Sequence, residues 1–214
     1  MSKIKTSTQL HIFILILTVL IMLSLNMIQD NANSFSSTWK NYLNQVASRQ
    51  ILLQDIKTNF GYGGAIHNFK NYLIRNQEKY RMHSENQFKD ILISIEYYRD
   101  VPNLGNHEKK ALEDIVMVVS NYQKQLGVIM HMHGEKASIN AIDQIVKVDD
   151  LPAIMALRTL QIEFEILTAA NSGEIQSEVI KTGQHTIILF ILVIILALSF
   201  GLITNTYIRG KLKS

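Results

Sequence analysis

LHIFILILTVLIMLSLNMI, residues Leu10–Ile28, is a run of 19 residues without Lys, Arg, Asp or Glu. A second run, TIILFILVIILALSFGLI, covers 18 residues from Thr186 to Ile203. At 1.5 Å rise per residue, each measures roughly 27–29 Å as a helix, about the thickness of a bilayer core. Both read as membrane-spanning helices, over residues 10–28 and 186–203, which excludes a soluble cytoplasmic protein. The first run is longer than the apolar part of a signal peptide and has no A-x-A-like exit. It reads as an uncleaved anchor.

Charge orients the two spans. The 214 residues carry 21 Lys+Arg and 18 Asp+Glu, but all the acids lie between Asp30 and Glu178. Sixteen bases against 18 acids leave that middle segment at −2, and the other five bases, Lys3, Lys5, Arg209, Lys211 and Lys213, flank the spans. The positive-inside rule then places residues 1–9 and 204–214 in the cytoplasm, with residues 29–185 outside it. A bacterial cytoplasmic membrane is the expected location. The sequence pI near 9.0 therefore reports topology, and with no basic groove-facing stripe no nucleic-acid partner is expected. The absence of cysteine excludes a disulfide scaffold, a CxxC redox site and a thiolate metal site.

Residues 29–185 read as helix almost throughout. Proline is confined to Pro102 and Pro152, and no stretch alternates apolar and polar residues in the manner of a strand. The expected first helix runs from about Ser36 to Arg75, continuing out of the membrane. A second covers Glu78 to Tyr98, packing Phe88, Ile91, Leu92 and Ile95, and stops at the breakers Pro102 and Gly105. Asn106 is placed to cap a third, with the stripe Leu112, Ile115, Val119, Tyr122, Leu126 and Ile129. A short turn over Ala141–Lys147 precedes Asp150, read as the cap of a fourth helix that buries Leu157, Leu160, Phe164 and Leu167. The expected fold is all-α: two transmembrane helices flanking an extracytoplasmic up-down-up-down four-helix bundle.

Residues 60–75 are the part that packing explains least. On a heptad laid along the first helix, Leu53, Ile56, Phe60, Gly63, His67, Lys70 and Ile74 form one seam, and Tyr62, Ala65, Ile66, Phe69 and Leu73 form a second apolar face. Two such faces on one helix predict a bundle contact on one side and a partner subunit on the other, hence a homodimer. Gly63 and Gly64 each cost a helix about 1 kcal/mol relative to Ala, which points to close approach by a helix or a ligand. His67, Lys70 and Asn71 share the seam and Arg75 lies at its edge. One reading is a pocket for a small anion, with charge from Lys70 and Arg75 and directional hydrogen bonds from His67 and Asn71. The other is a polar layer that sets helix register, paired with acids on another helix.

Met130-His131-Met132-His133, with Met82-His83 and His107, offers a soft metal or haem reading. However, His131 and His133 are about 200° apart on a continuous helix. No cofactor or metal site is expected. No G-x-S-x-G, H-E-x-x-H, Walker or Rossmann pattern occurs, Gly61-Tyr-Gly-Gly is too short for a phosphate loop, and Glu163 and Glu165 point to different faces. An enzyme is not expected.

An anchor, an outer helical segment and a second span resemble the input half of bacterial transmembrane receptors: methyl-accepting chemotaxis proteins, sensor histidine kinases and diguanylate cyclases. Gly61–Arg75 and Val146–Leu157 resemble two segments of such helical sensor regions. The resemblance implies a membrane-anchored sensory module that detects an extracytoplasmic ligand and passes a helix displacement across the membrane. Those receptors continue into a HAMP linker and an output domain, whereas this sequence runs eleven residues past Ile203. The resemblance leaves two readings: an isolated input module, truncated or encoded separately, or a protein that acts by pairing with another membrane protein such as a separate signalling partner. A non-sensory scaffold or accessory subunit is the competing class.

Overall fold

The computed structural model describes residues 2–61 and 63–212. Tyr62, assigned above to the second apolar face, and Lys213 lie outside them, as do the side chains of Lys3, Lys5 and Lys211. The described residues form helices, with no strand among them. Helix α1 (Ser2–Tyr42) passes through one π-helical stretch, Leu43–Ala47, into α2 (Ser48–Phe60). Then come α3 (Ala65–Arg75), α4 (Glu78–Arg99), α5 (Asn106–Gly134), α6 (Ile139–Ile145) and α7 (Leu151–Leu212). The two predicted apolar runs fall in α1 and α7, both long and apolar enough to cross a membrane, and neither run is buried by protein.

The chain divides into two compact units, Asn41–Asn171 and the pair of terminal stretches Met1–Lys40 and Ser172–Ser214. In the terminal unit, α1 and α7 meet through Phe13 and Phe200, whose ring centres are 5.4 Å apart. The Asn31 amide and His185 Nδ1 are 3.1 Å apart, and Ser34 Oγ donates to Glu178 Oε2 at 3.0 Å.

The 41–171 unit holds the core, and its helix boundaries follow local chemistry. Asn76 ends α3 in the left-handed conformation at φ 47°, which asparagine tolerates better than most residues. Helix α5 starts at Asn106 with the Glu108 carboxylate accepting the Gly105 N–H at 2.8 Å, so Glu108 closes the end that Asn106 was expected to cap. Helix α7 starts at Leu151, and its capping carboxylate belongs to Asp149, which accepts the Leu151 N–H at 3.0 Å.

Two expectations are corrected. The first helix does not run unbroken to Arg75: it stops at Phe60 and restarts at Ala65. This restart resets the helical phase. Leu53, Ile56 and Phe60 are therefore buried in the same core as Ala65, Phe69 and Leu73, while Ile74 is exposed. The α2 part of the seam predicted for a partner subunit is interior, whereas its Gly63, His67, Lys70 and Ile74 are exposed. On α7, Ala153, Ala156 and Leu160 are the buried stripe, with Leu157 and Phe164 packed at its edge.

One polar cluster lies inside this core. Arg49 Nε donates to Glu108 Oε1 at 2.8 Å, with only 2% and 6% of the two side chains exposed. The guanidinium also donates to the carbonyls of Gln45 (2.9 Å), Pro102 and Asn103 (both 3.2 Å). Tyr98 Oη donates to Glu108 Oε1 at 3.1 Å. Among the described residues no buried side-chain polar atom lacks a partner. Removing one member of a buried pair strands the other charge, at a cost of about 3–5 kcal/mol, whereas removing both costs far less. Arg49→Met should therefore lower unfolding free energy by about 3–5 kcal/mol, and Arg49→Met/Glu108→Gln should recover most of it. Denaturant unfolding of the chain in detergent, followed by circular dichroism, checks both values.

Candidate functional site

The break between α2 and α3 builds the site. Gly61 N–H bonds to Lys57 O and Gly64 N–H to Gly61 O, both at 2.9 Å, closing a tight turn. Gly63 takes φ +82°, a conformation that other residues rarely adopt. A Cβ on Gly64 would lie 2.3 Å from the backbone oxygen of Asn59. Buried Asn68 secures the turn: its amide reaches the carbonyls of Gly63 (3.4 Å) and Gly64 (3.3 Å), and Oε1 of Gln87 on α4 at 2.8 Å. Ser84 on α4 donates to Ala65 O at 3.0 Å. The glycines are explained by the turn itself, not by a ligand.

With α3 so placed, its exposed side faces the start of α7 across a groove of about 320 Å³. Phe60, Gly61, Ile66, His67 and Lys70 line it on one side, Asp150 and Ile154 on the other. The two segments singled out in the sequence, Gly61–Arg75 and Val146–Leu157, thus meet at one concavity. Of the six residues proposed for a pocket, His67 and Lys70 line this groove. Asn71 is half-buried outside the lining. Arg75, at the far end of α3, donates to Tyr80 Oη at 3.0 Å and lies over that ring. Gly63 and Gly64 form the adjoining turn.

The groove is electrically mixed. Lys70 is exposed and forms no ion pair among the described residues. Asp150, which the sequence reading treated only as a helix cap, brings a carboxylate to the opposite wall. Beneath it, burial pushes the Tyr122 hydroxyl up to about 12, with the Asp150 carboxylate adding to the rise. Phe60, Ile66 and Ile154 supply the apolar surface. Such a lining suits a small ligand with an anionic group toward His67 and Lys70 and a donor toward Asp150.

The histidine–methionine stretch does not converge. His131 is exposed, 3.3 Å from Glu135. His133 points the other way, with Nε2 3.2 Å from Tyr72 O and its ring edge-on to Tyr72 at 5.4 Å. Among the described residues no cluster of three or more His, Asp or Glu could hold a metal ion. A larger concavity of about 490 Å³ in the terminal unit, between α1 and α7, is lined by apolar residues with Asn31 and His185. No protein-family model matches the chain, and no curated protein or solved structure is significantly similar to it.

Two measurements probe this architecture. Gly64→Ala should be markedly more destabilising than Gly63→Ala, because the former meets backbone while the latter costs only the unfavourable φ, about 1–2 kcal/mol. Melting temperatures of the two variants decide it. Burial, reinforced by the Glu108 carboxylate, also holds the Tyr98 hydroxyl well above the usual tyrosine value. Both tyrosines are thus raised above the ~10 of an unfolded chain, which releases these protons first as pH climbs. Their contribution to stability is whole below about pH 10 and is lost as pH rises through the folded-state values, about 12 for Tyr122. Absorbance titration of tyrosinate should show Asp150→Asn moving one late-ionising group to lower pH.

Proposed function

We propose that the chain is a membrane-anchored sensory module whose ligand occupies the groove between α3 and the start of α7. The observation that carries the reading is the meeting of the Gly61–Arg75 and Val146–Leu157 segments there, with a cation, an acid and apolar side chains in one concavity. In this reading α1 and α7 cross the bacterial cytoplasmic membrane with both termini inside. Residues 29–185 form an extracytoplasmic up-down-up-down bundle of α2–α3, α4, α5 and the first part of α7.

The physical requirement is differential affinity for two helix packings. Asp150 and Ile154 flank the first turn of α7, and the same unbroken helix contains the second apolar run. A ligand bridging Lys70 and Asp150 favours the packing that brings α3 and α7 to its own span. That bias is then carried along α7 as a small displacement.

The ligand class follows from the lining. An anion alone is attracted by Lys70 and repelled by Asp150, whereas an amphoteric molecule uses both. Thermal-shift titration of the full chain in nanodiscs, with inorganic anions and with small amphoteric molecules such as amino acids, separates the two. Lys70→Met should abolish binding of either class. Asp150→Asn should weaken an amphoteric ligand about tenfold or more, as loss of a charge-assisted hydrogen bond does, but strengthen a simple anion. Binding untouched by both substitutions would place the ligand elsewhere and remove the basis for this site.

A further inference from the structure

Helix α7 has two sides, and the chain uses one of them. Ala153, Ala156 and Leu160 face the core of the 41–171 unit. In the terminal unit Glu178, His185 and Phe200 meet α1. At 100° per residue the first three positions share one side of the helix, and so do the last three. The opposite side is open: Met155, Ile162, Ile166, Ile180 and Ile187 are between 45% and 61% exposed.

The spacing of that open side is regular. Positions 155, 159, 162, 166, 169, 173, 176, 180, 183 and 187 alternate steps of four and three, and none of the ten carries Lys, Arg, Asp or Glu. The six charged residues of the same stretch, from Arg158 to Lys181, all lie off it. Six of the ten are apolar (Met155, Ile162, Ile166, Ala169, Ile180 and Ile187), and a charge-free stripe at a period of 3.5 is the spacing of a left-handed coiled coil, since a lone helix turns every 3.6. Lipid does not account for the pattern: most of it precedes the apolar run that starts at Thr186, in a stretch carrying those six charges.

Two further observations name the occupant. Gly173 and Gly183 lie on the open side, and a Cβ built on either meets nothing within 4 Å. Glycine at these two positions leaves room for a second helix to approach closely. The second observation is charge. With Ile166, Gly173 and Ile180 at heptad position a, Arg158 falls at g and Glu163 at e. In a parallel, in-register pair, g faces the e position five residues on in the other strand. Arg158 of each copy therefore meets Glu163 of the other, twice by symmetry. Neither forms an ion pair among the described residues of a single chain.

We infer that α7 is a homodimer interface, packing its 155–187 side against a second copy as a parallel two-stranded coiled coil. The inference does not depend on the groove or its ligand. It moves the expected dimer contact from Leu53, Ile56 and Phe60, which the core buries, to the last helix.

The chain lacks cysteine, so single cysteines can be placed at will in the full protein in its native membrane. Oxidation should link Ile162→Cys, Ile166→Cys and Ala169→Cys to a second copy several-fold more efficiently than Glu174→Cys, which is exposed but off the interface. All three test sites are exposed within one chain, so the substitutions leave the fold intact. Glu163→Arg should cut the yield at position 166 several-fold, and Arg158→Glu/Glu163→Arg should restore it. Equal yields at 166 and 174, monomers at all three sites, or links only to a different protein would overturn the interface. A yield indifferent to Glu163→Arg would overturn the parallel in-register arrangement.

Discussion

The backbone oxygen of Asn59 leaves no room for a side chain at Gly64, and much of the 41–171 unit depends on that contact. Had α2 run on as one helix, Leu53, Ile56 and Phe60 would have pointed to a different side from Phe69 and Leu73. The turn at 61–64 rotates the chain between the two, so both sets enter a single core. The same rotation leaves His67 and Lys70 outside, on the wall of the groove. Asn68 then converts the turn into a fixed element, since its buried amide has partners only while Gly63, Gly64 and Gln87 stay where they are.

Much of the helical layout was legible in the sequence because it is written in local terms. The breakers between Asp100 and Gly105, the carboxylates at Asp149 and Asp150, and the stripe from Leu112 to Ile129 each decide a boundary or a face within a few residues. The two glycines were legible as a disturbance but not as a stop, because a helix with a weak point and two helices with a turn share one composition. Their meaning came from the positive φ of Gly63 and the missing space at Gly64, which are backbone facts. Arg49 and Glu108 were illegible for another reason. They are 59 positions apart, and nothing local marks Arg49 as buried. Asp150 was read as the cap of the last helix, a role its neighbour Asp149 takes. The place of Asp150 across from Lys70 is a tertiary fact that no periodicity contains.

The buried ion pair and the groove place different demands on the helices. Arg49 gathers a carboxylate and three carbonyls from separate parts of the chain, so the end of the unit where α2 begins is held by directional bonds in a low-dielectric setting. It also takes the Gln45 carbonyl within the π-helical stretch, where ordinary helical pairing is interrupted. At the groove, α3 and the start of α7 meet through apolar edges, exposed Lys70 and half-buried Asp150, which restrain less. One end of the unit is held by a buried ion pair and the other is not.

In the proposed sensory reading, that contrast is what lets α7 report on the groove. Its first turns carry three kinds of residue: Asp150 and Ile154 on the groove, Ala153 and Ala156 in the core, and Met155 on the open side. A ligand bearing on Ile154 and a second helix bearing on Met155 act on adjacent residues of one rigid turn. Neither can alter the setting of that turn without altering the contact available to the other. Coupling between two binding events is reciprocal by thermodynamic necessity, and it requires only that both prefer the same helix position unequally. The apolar edges and unpaired charges at this end of α7 permit such a preference to be expressed. The Arg49–Glu108 clamp at the other end keeps the remainder of the core from yielding in its place.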